Sequence, residues 1–436
     1  MISDTWDFDC SERRDRRHFL RTAAFTGAAL SAYATTNALA SSALACSALA
    51  GSELTAPAIK SVAGVVTIYR TGSHTDVLIG KILEGWRQDG GPGPALSLAS
   101  LYVDQFPQDD LSVKLAEKHG FRLCKTIEEA ITLGKVGVAV DGIISIGEHG
   151  DYPTNALGQH LYPRKRFFEG ITATFAKYGQ VVPVFNDKHP GPEWADAAWM
   201  AQRARELQVP WMAGSSLPVS YRDPDISIPM GSRIERALAV GYSGLDIYGF
   251  HTLEFLQCLI ERRRGAETGV RSVQSFATEA IPQLISNGTI RTDLLDAALL
   301  CSGTDRKTIL DHPDPDGSVF VVEYEDGLVV PVLMLVNQGK AISAAIKVEG
   351  GDLQAARVEE RPDPKHPHFA YLLKGIEQMF HTGRPAYPVE RTLLTAGILD
   401  RALTSRHDNG RRLTTPELRI TYTPVDAKHA PHINLN

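Results

Sequence analysis

Apolar runs of strand length alternate with amphipathic stretches over residues 62–216. The first run, "VAGVVTIY", precedes "DVLIGKILEGW", in which Val77, Leu78, Ile82 and Leu83 recur at the spacing of one helix face. The same order continues through "ALSLASLYVD", "DDLSVKLAEKHG", "RLCKTIEEAITLG", "VDGIISIG", "RKRFFEGITATFAKYG", "VVPVFND", "EWADAAWMAQRARELQ" and "VPWMAGSS". Because parallel strands need long crossover connections, this alternation predicts an α/β domain with a doubly wound parallel sheet.

The pattern changes after Ser216. The stretch "GLDIYGFHTLEFLQCLIERRRG" predicts one helix ending before Gly265, and "SVFVVEYEDGLVVPVLMLV" predicts two strands joined at Asp326 and Gly327. That dipeptide suits the positive φ angles of a type I′ hairpin turn. Two tail helices, "HFAYLLKGIEQMFHTG" and "VERTLLTAGILDRALTSR", and a late strand, "ELRITYT", complete the prediction. We therefore expect a second, α+β domain with a large mixed or antiparallel sheet.

Composition narrows the class of protein without identifying it. A chain of 436 residues is long for one core, which favours two domains. With 45 basic and 51 acidic residues, the net charge of -6 argues against a nucleic-acid binder. Beyond residue 50 the chain has three cysteines, Cys124, Cys258 and Cys301. Their number is odd and their spacing is not that of metal ligands, so no disulfide framework is predicted.

The N-terminus predicts a targeting segment over residues 1–50. It runs from "RRDRRHFLR" into small, mildly apolar residues, and Arg16 and Arg17 followed by "HFL" resemble the twin-arginine signal of bacterial export. We expect a periplasmic or extracytoplasmic protein that the twin-arginine translocon carries out already folded. The alternatives are a membrane anchor, a chance basic start, or a lipid on Cys46, although Ala43 stands where a lipobox prefers a larger side chain.

The first turn after the first strand offers little for a nucleotide. It reads "YRTGSHTDV", with Gly72 alone where three glycines would let the backbone approach a pyrophosphate, though Ser73 and His74 could still donate to a phosphate. Asp104 ends the second strand about thirty residues later, where a carboxylate can bond ribose hydroxyls. An ordinary loop carboxylate explains Asp104 equally well.

The order of motifs is more informative than any one of them. The stretches "LYVDQFPQDDLSVKLAEKHGFRLCKTIEEAI", "VDGIISIG", "VPVFNDKHPGPEWADAAWMAQRARELQVPWMAGSS" and "GFHTLEFLQCL" resemble the glucose-fructose oxidoreductase and inositol dehydrogenase family, Gfo/Idh/MocA. The resemblance implies a Rossmann-like domain over residues 57–217 that binds NAD or NADP, and a substrate and oligomerisation domain over residues 218–436. It also implies tail helices at 367–407 that pack back on the first domain, and a homo-oligomer formed through the open second sheet.

The resemblance also assigns site residues. The family's Glu-Lys-Pro tripeptide matches Asp187, Lys188 and His189, so only the lysine is kept. The stretch "GFHTLE" matches the family's catalytic helix at His251 and Glu254.

Two departures affect the same site. The family's aspartate before the helix histidine is displaced by one position, to Asp246. Its Pro-Asn-x-x-His segment is replaced by "GEHGDYP", which contains Glu148 and His149.

Oxidation of a sugar carbinol needs a base for the hydroxyl proton and a group that orients the oxygen. The predicted catalytic residues are Lys188, His251, Glu254 and Asp246. The predicted cofactor-binding residues are Gly72, Ser73, His74, Asp104, Glu148, His149 and Asp187. The plainer alternative for Lys188 is a solvated lysine in a turn, and for Glu148 and His149 it is a hydrogen-bonded loop. For His251 it is an ordinary core or surface histidine.

The functional prediction is an exported NAD(P)-dependent oxidoreductase that acts on a saccharide or polyol and holds its cofactor tightly. Because free NAD(P) is scarce outside the cytoplasm, its overall reaction could be redox-neutral. Two rival functions use the same cleft. One is a metal-dependent lyase, isomerase or hydrolase with ligands among Glu148, His149, Asp151, Asp187, His189 and His251. The other is an exported binding protein that has lost the cofactor.

Overall fold

The computed structural model describes residues 58–363 and 365–431. The predicted targeting segment, with Arg16, Arg17 and Cys46, lies outside the described residues. Within the described part, no helix combines the length and the apolar character that crossing a membrane requires.

A six-stranded parallel sheet occupies the first half of the described chain, in the order β3-β2-β1-β4-β5-β6. Its strands are β1 (Lys60–Val66), β2 (Leu96–Val103), β3 (Arg122–Cys124), β4 (Gly142–Ile146), β5 (Val184–Asp187) and β6 (Trp211–Gly214). The helices between them are α1 (His74–Glu84), α2 (Ser112–His119), α3 (Ile127–Thr132), α4 (Arg164–Tyr178) and α5 (Trp194–Glu206). This arrangement confirms the predicted doubly wound sheet. The strand order reverses between β1 and β4, and ligands of such sheets bind at this crevice.

A separate eight-stranded sheet occupies the second half, in the order β14-β9-β10-β11-β8-β12-β13-β7. Its strands are β7 (Tyr221–Asp223), β8 (Ile234–Gly241), β9 (Val270–Phe276), β10 (Ser318–Tyr324), β11 (Val329–Met334), β12 (Ser343–Val348), β13 (Leu353–Glu359) and β14 (Leu413–Thr414). The β11–β8 pair is parallel, while β10–β11 and β12–β8 are antiparallel. The sheet is therefore mixed, within the predicted class.

Helices cover both faces of the second sheet. On one face lie α6 (Ile247–Ile260) and α11 (Val389–His407), which share the main core with β9 and β10. On the other face, α7 (Ile281–Ser286), α8 (Thr292–Ser302) and α9 (Arg306–Asp311) enclose a second core. The homo-oligomer stays a prediction, and α7–α9 occupy this face of the sheet.

Two sequence predictions differ from the structure. The β10–β11 hairpin is present, but of its two central residues only Gly327 has positive φ, so the turn is not type I′. The stretch "ELRITYT" is not a strand: Pro416–Leu418 forms a 3₁₀ turn, and Tyr422 makes only an isolated bridge to Glu267. Its alternating pattern has no free edge to pair with, because β14 already pairs with β9 at that edge.

The tail helices pack against the first sheet and its helices. Helix α10 (His368–Thr382) places Phe369, Leu372 and Ile376 in one core with Val66 of β1. Helix α11 packs between α5 and β6 on one side and α6 and β9 on the other. The carboxyl edge of the parallel sheet is thereby bordered by elements from the end of the chain.

Candidate functional site

Lys188 and His251 face each other at the carboxyl edge of the parallel sheet. Lys188 directly follows β5 with φ +69°, a left-handed conformation that costs a non-glycine residue roughly 1–2 kcal/mol. Its N–H donates to the Gly214 carbonyl at 3.0 Å, and its ammonium Nζ hydrogen-bonds His251 Nε2 on α6. The two residues are only 3% and 8% exposed. A strained backbone that delivers a buried lysine to a histidine is an arrangement expected at a functional site.

Behind His251, a second pair of residues continues the hydrogen-bond chain. His251 Nδ1 lies 3.1 Å from Ser215 Oγ, just beyond β6. The Ser215 hydroxyl and N–H both donate to Glu254 Oε2, at 2.6 and 2.8 Å. Glu254 Oε1 lies 3.2 Å from Thr392 Oγ1 of α11. A Cβ on Gly214 would stand 2.7 Å from Glu254 Oε1, so glycine leaves the space that the carboxyl group occupies.

The protonation states of this chain follow from burial. Burial raises the pKa of Glu254 to about 7, against the hydrogen bonds from Ser215 that lower it. Burial, and next the charge of Lys188, hold the pKa of His251 well below its usual range. His251 is therefore neutral at pH 7. Since the Ser215 proton goes to Glu254, Ser215 accepts from His251 Nδ1–H, and the lone pair of Nε2 faces Lys188.

A buried ion pair lies beside Lys188 at the end of β4. Arg164 Nη2 donates to Glu148 Oε2 at 2.6 Å, and Arg164 Nη1 lies 3.0 Å from His189 Nε2. Burial opposes ionisation of Glu148, but the charges of Lys188 and Arg164 outweigh it and lower its pKa to about 2. Gly147 permits the approach, because a Cβ there would stand 2.6 Å from Arg164 Cγ. Glu148 is thus an ionised carboxylate that is buried at the end of β4.

His74 connects the first turn to the end of β5. Its Nδ1 lies 2.6 Å from Asp187 Oδ2, and its ring meets His149 and Phe369 edge-on at centroid distances of 5.2 and 5.1 Å. Like Lys188, His149 has a left-handed φ, +66°. Burial, then the charge of His74, lower the pKa of His149 to about 4. His149 Nδ1 and Asp187 Oδ1 are buried with no hydrogen-bond partner among the described residues.

The first turn satisfies part of its own hydrogen bonding. Ser73 caps α1 and accepts from the Asp76 N–H at 3.3 Å, while the Gly72 N–H donates to Asp76 Oδ2 at 3.0 Å. Gly72 has φ +75°, and a Cβ there would meet nothing within 4 Å, so the space beside it is open. A carboxylate in the first helical turn stabilises the helix N-terminus but repels an incoming phosphate.

Asp104 stands at the end of β2, as predicted, but other side chains already bond it. Tyr102 and Tyr152 each donate a hydroxyl at 2.7 Å, and Arg166 Nη2 donates at 2.6 Å. Burial opposes ionisation, yet these bonds outweigh it and lower the Asp104 pKa. A ribose would have to share Asp104 with them.

Asp246 does not join the Lys188–His251 pair. It lies at the start of α6, where its Oδ2 accepts from the His160 N–H at 3.0 Å and its Oδ1 is buried without a partner in the described chain. Burial raises its pKa. Of the four predicted catalytic residues, the structure thus brings together Lys188, His251 and Glu254.

Sequence reasoning missed Arg164, Ser215 and Thr392. Arg164 opens α4, where one of several basic residues in "YPRKRF" gives no sign of being buried. Ser215 follows a strand and could have been examined for that reason. Thr392 lies more than a hundred residues from the rest of the site, and no local pattern marks it. In the described residues, no group of three or more His, Cys, Asp or Glu side chains could hold a metal ion.

Comparison with known proteins supports the fold. No protein-family model and no curated protein matches this chain. Among solved structures, GenD2 from gentamicin A biosynthesis, in complex with NAD, is similar over 82% of this chain and 96% of its own, with TM-score 0.54 and 12% identity. A myo-inositol dehydrogenase from Corynebacterium glutamicum is similar over 81% of this chain and 98% of its own, with TM-score 0.51 and 12% identity. A scyllo-inositol dehydrogenase from Lactobacillus casei is similar over 82% of this chain and 98% of its own, with TM-score 0.51 and 9% identity. The chain therefore has the two-sheet fold of these dehydrogenases.

Proposed function

We propose that this protein is an NAD(P)-dependent oxidoreductase that acts on a hydroxyl group of a saccharide or polyol. The observation that carries the proposal is the buried Lys188–His251 pair at the carboxyl edge of the parallel sheet. The fold supports it, since solved structures with this fold include inositol dehydrogenases and one protein in complex with NAD.

The residues at the carboxyl edge of the parallel sheet fit NAD(P) only in part. Open space beside Gly72, and the partnerless polar atoms of His149 and Asp187, favour a polar ligand at the sheet edge. Two features oppose a dinucleotide: the Asp76 carboxylate holds the Gly72 N–H, and His74 spans the first turn and Asp187.

The Lys188–His251 pair can divide the work on a hydroxyl group. The neutral His251 offers its Nε2 lone pair to the hydroxyl proton, while the Lys188 ammonium donates to the hydroxyl oxygen and stabilises its developing negative charge. Ser215 keeps the His251 proton on Nδ1, so Nε2 carries a lone pair. This lone pair accepts from Lys188 here and would accept from a substrate hydroxyl that displaces that bond. The hydroxyl proton would thus move from oxygen to His251 Nε2. Bound NAD(P) would supply the acceptor for the hydride from the same carbon.

A second candidate function is a saccharide- or polyol-binding protein that does not use a dinucleotide. The self-satisfied first turn, with Asp76 in the place where phosphate would bind, favours it. The metal-dependent rival has no comparable support from the described residues.

Native mass spectrometry of the protein from its own host separates the two. Release of NAD or NADP on denaturation supports the oxidoreductase, and loss of only a sugar or polyol supports the binding protein.

If turnover is then found, Lys188→Ala and His251→Ala should each lower it at least a hundredfold, the usual loss for a general acid or base. Lys177→Ala, on the exposed surface, is the matched control. Wild-type rates in both site variants would refute the assignment.

We also propose export through the twin-arginine pathway. Its support is the sequence around Arg16 and Arg17. Replacing both with lysine should keep the protein in the cytoplasm, which cell fractionation measures.

A homo-oligomer also stays a prediction, and light scattering tests it. Its interface would have to avoid the sheet face that α7–α9 cover.

A further inference from the structure

Arg222 is a buried cation that no carboxylate of the described residues pairs with. It lies on β7, 6% exposed, and its guanidinium donates to the Ile226 and Pro218 carbonyls at 3.0 and 3.3 Å and to Cys258 Sγ at 3.6 Å. Its Cζ lies 5.8 Å from the centre of the Phe255 ring. Among the described residues, its Nε has no hydrogen-bond partner and no carboxylate lies within 4 Å of the guanidinium. Burial lowers its pKa.

Other buried arginines in this protein are paired. Arg164, Arg263 and Arg391 bind Glu148, Glu267 and Glu261, respectively. Burying a charge without a partner costs several kcal/mol, because the interior does not replace its hydration. Arg222 is the exception among the buried arginines that the structure describes.

Arg222 lines a cavity of about 240 Å³ at the far end of α6. Arg262, Arg391 and Lys428 also line it. The carboxylates at its wall are already engaged: Glu261 by Arg391, Asp426 by Arg262, and Asp225 by His429. Arg222 and Lys428 have no carboxylate partner within 4 Å inside the described structure. Burial lowers the pKa of His429, so Asp225 keeps its charge, and the four cations that line the cavity face three carboxylates. The cavity therefore has excess positive charge and room for a small molecule.

We propose that this cavity binds a small oxyanion, a phosphate or carboxylate group, with Arg222 as its principal partner. A planar guanidinium matches the paired oxygens of either group, and Lys428 adds a flexible point charge at the rim. His251 and Glu261 are ten residues apart on the α6 segment, roughly 15 Å along a helix axis, so this is a second site separate from the Lys188–His251 cleft.

The test compares melting temperatures in chloride, phosphate and acetate buffers at equal ionic strength. Wild type should be stabilised by phosphate or acetate over chloride, and the anion that acts identifies which group the site takes. Arg222→Met should lose this increment and, in chloride, melt no lower than wild type, because the variant removes an unpaired buried charge. Arg233→Met, at an exposed arginine paired with Glu349, should keep the increment.

Titration calorimetry with inorganic phosphate or acetate gives the affinity directly. Arg222→Lys keeps the charge but loses the guanidinium geometry, and it should bind the active anion at least tenfold more weakly, whether or not the methionine variant folds. Equal binding by wild type and Arg222→Lys, or no binding by wild type, would overturn the proposal.

Discussion

The sharpest quantitative prediction concerns Glu254→Gln. Glu254 is buried, and its Oε2 accepts two hydrogen bonds from Ser215 while its Oε1 lies against Thr392 Oγ1. The Thr392 hydroxyl is also 2.7 Å from the Ala213 carbonyl, so it can donate there and accept from a protonated Oε1. Glutamine has the same shape, with a carbonyl for Ser215 and an amide N–H for Thr392. The variant therefore mimics the protonated carboxyl group.

The expected magnitude follows from the raised pKa. The ordinary value of 4.5 rises to about 7 in the folded protein. Between these pH values the folded state binds the proton more tightly than the unfolded state, so stability falls as pH rises through this window and is constant above it. A shift of this size corresponds to about 3 kcal/mol of lost stability at pH 8 relative to pH 4. Glutamine cannot ionise, so the variant should lack this loss.

Urea unfolding at several pH values between 4 and 8 measures the effect, with tryptophan fluorescence and far-ultraviolet circular dichroism recorded together. The difference in free energy of unfolding, variant minus wild type, should rise by about 3 kcal/mol from low to high pH. Glu206→Gln, at an exposed glutamate, is the matched control. A flat line for Glu254→Gln would refute the reasoning, because Glu254 would then have an ordinary pKa.

Other variants test neighbouring parts of the cleft. Ser215→Ala should lower turnover roughly tenfold or more without changing substrate affinity, and the ¹⁵N shifts of His251 should show the proton redistributed between its two nitrogens. Asp76→Asn should tighten NAD(P) binding roughly tenfold in a fluorescence titration, because it removes a negative charge beside the phosphates; Asp89→Asn is the exposed control. Glu148→Gln should lower stability by about 3 kcal/mol at pH 7 because it strands Arg164. With a Glu148 pKa near 2, that difference should shrink as pH falls from about 4.5 to about 2.

The first sheet was predictable because its strands are buried on both faces. A strand such as β4 (Gly142–Ile146) is apolar throughout, and amphipathic helices separate such runs at regular intervals. The second sheet was harder to predict. Strands such as β13 (Leu353–Glu359) alternate weakly and are recognisable only from the partners they pair with, which the local pattern does not contain.

The site shows the same limit. Lys188, His251 and Glu254 could be proposed from the order of motifs, and the structure places them in one hydrogen-bond chain. Ser215 and Arg164 are placed in the site by contacts between distant parts of the chain. The Ser215 hydroxyl, just beyond β6, donates to Glu254 on α6, and the Arg164 side chain packs closely against Gly147. Contacts of this kind depend on tertiary geometry, which spacing along the chain does not encode.

The C-terminal helices that border the cleft have a consequence for the order of folding. Phe369 of α10 reaches His74, and Thr392 of α11 reaches Glu254. A ribosome that has synthesised residue 251 but not residue 392 has produced Lys188 and His251 without the helix that later contacts Glu254. These contacts form only after residue 392 has left the ribosome, so a ligand that depends on them binds after that point in synthesis.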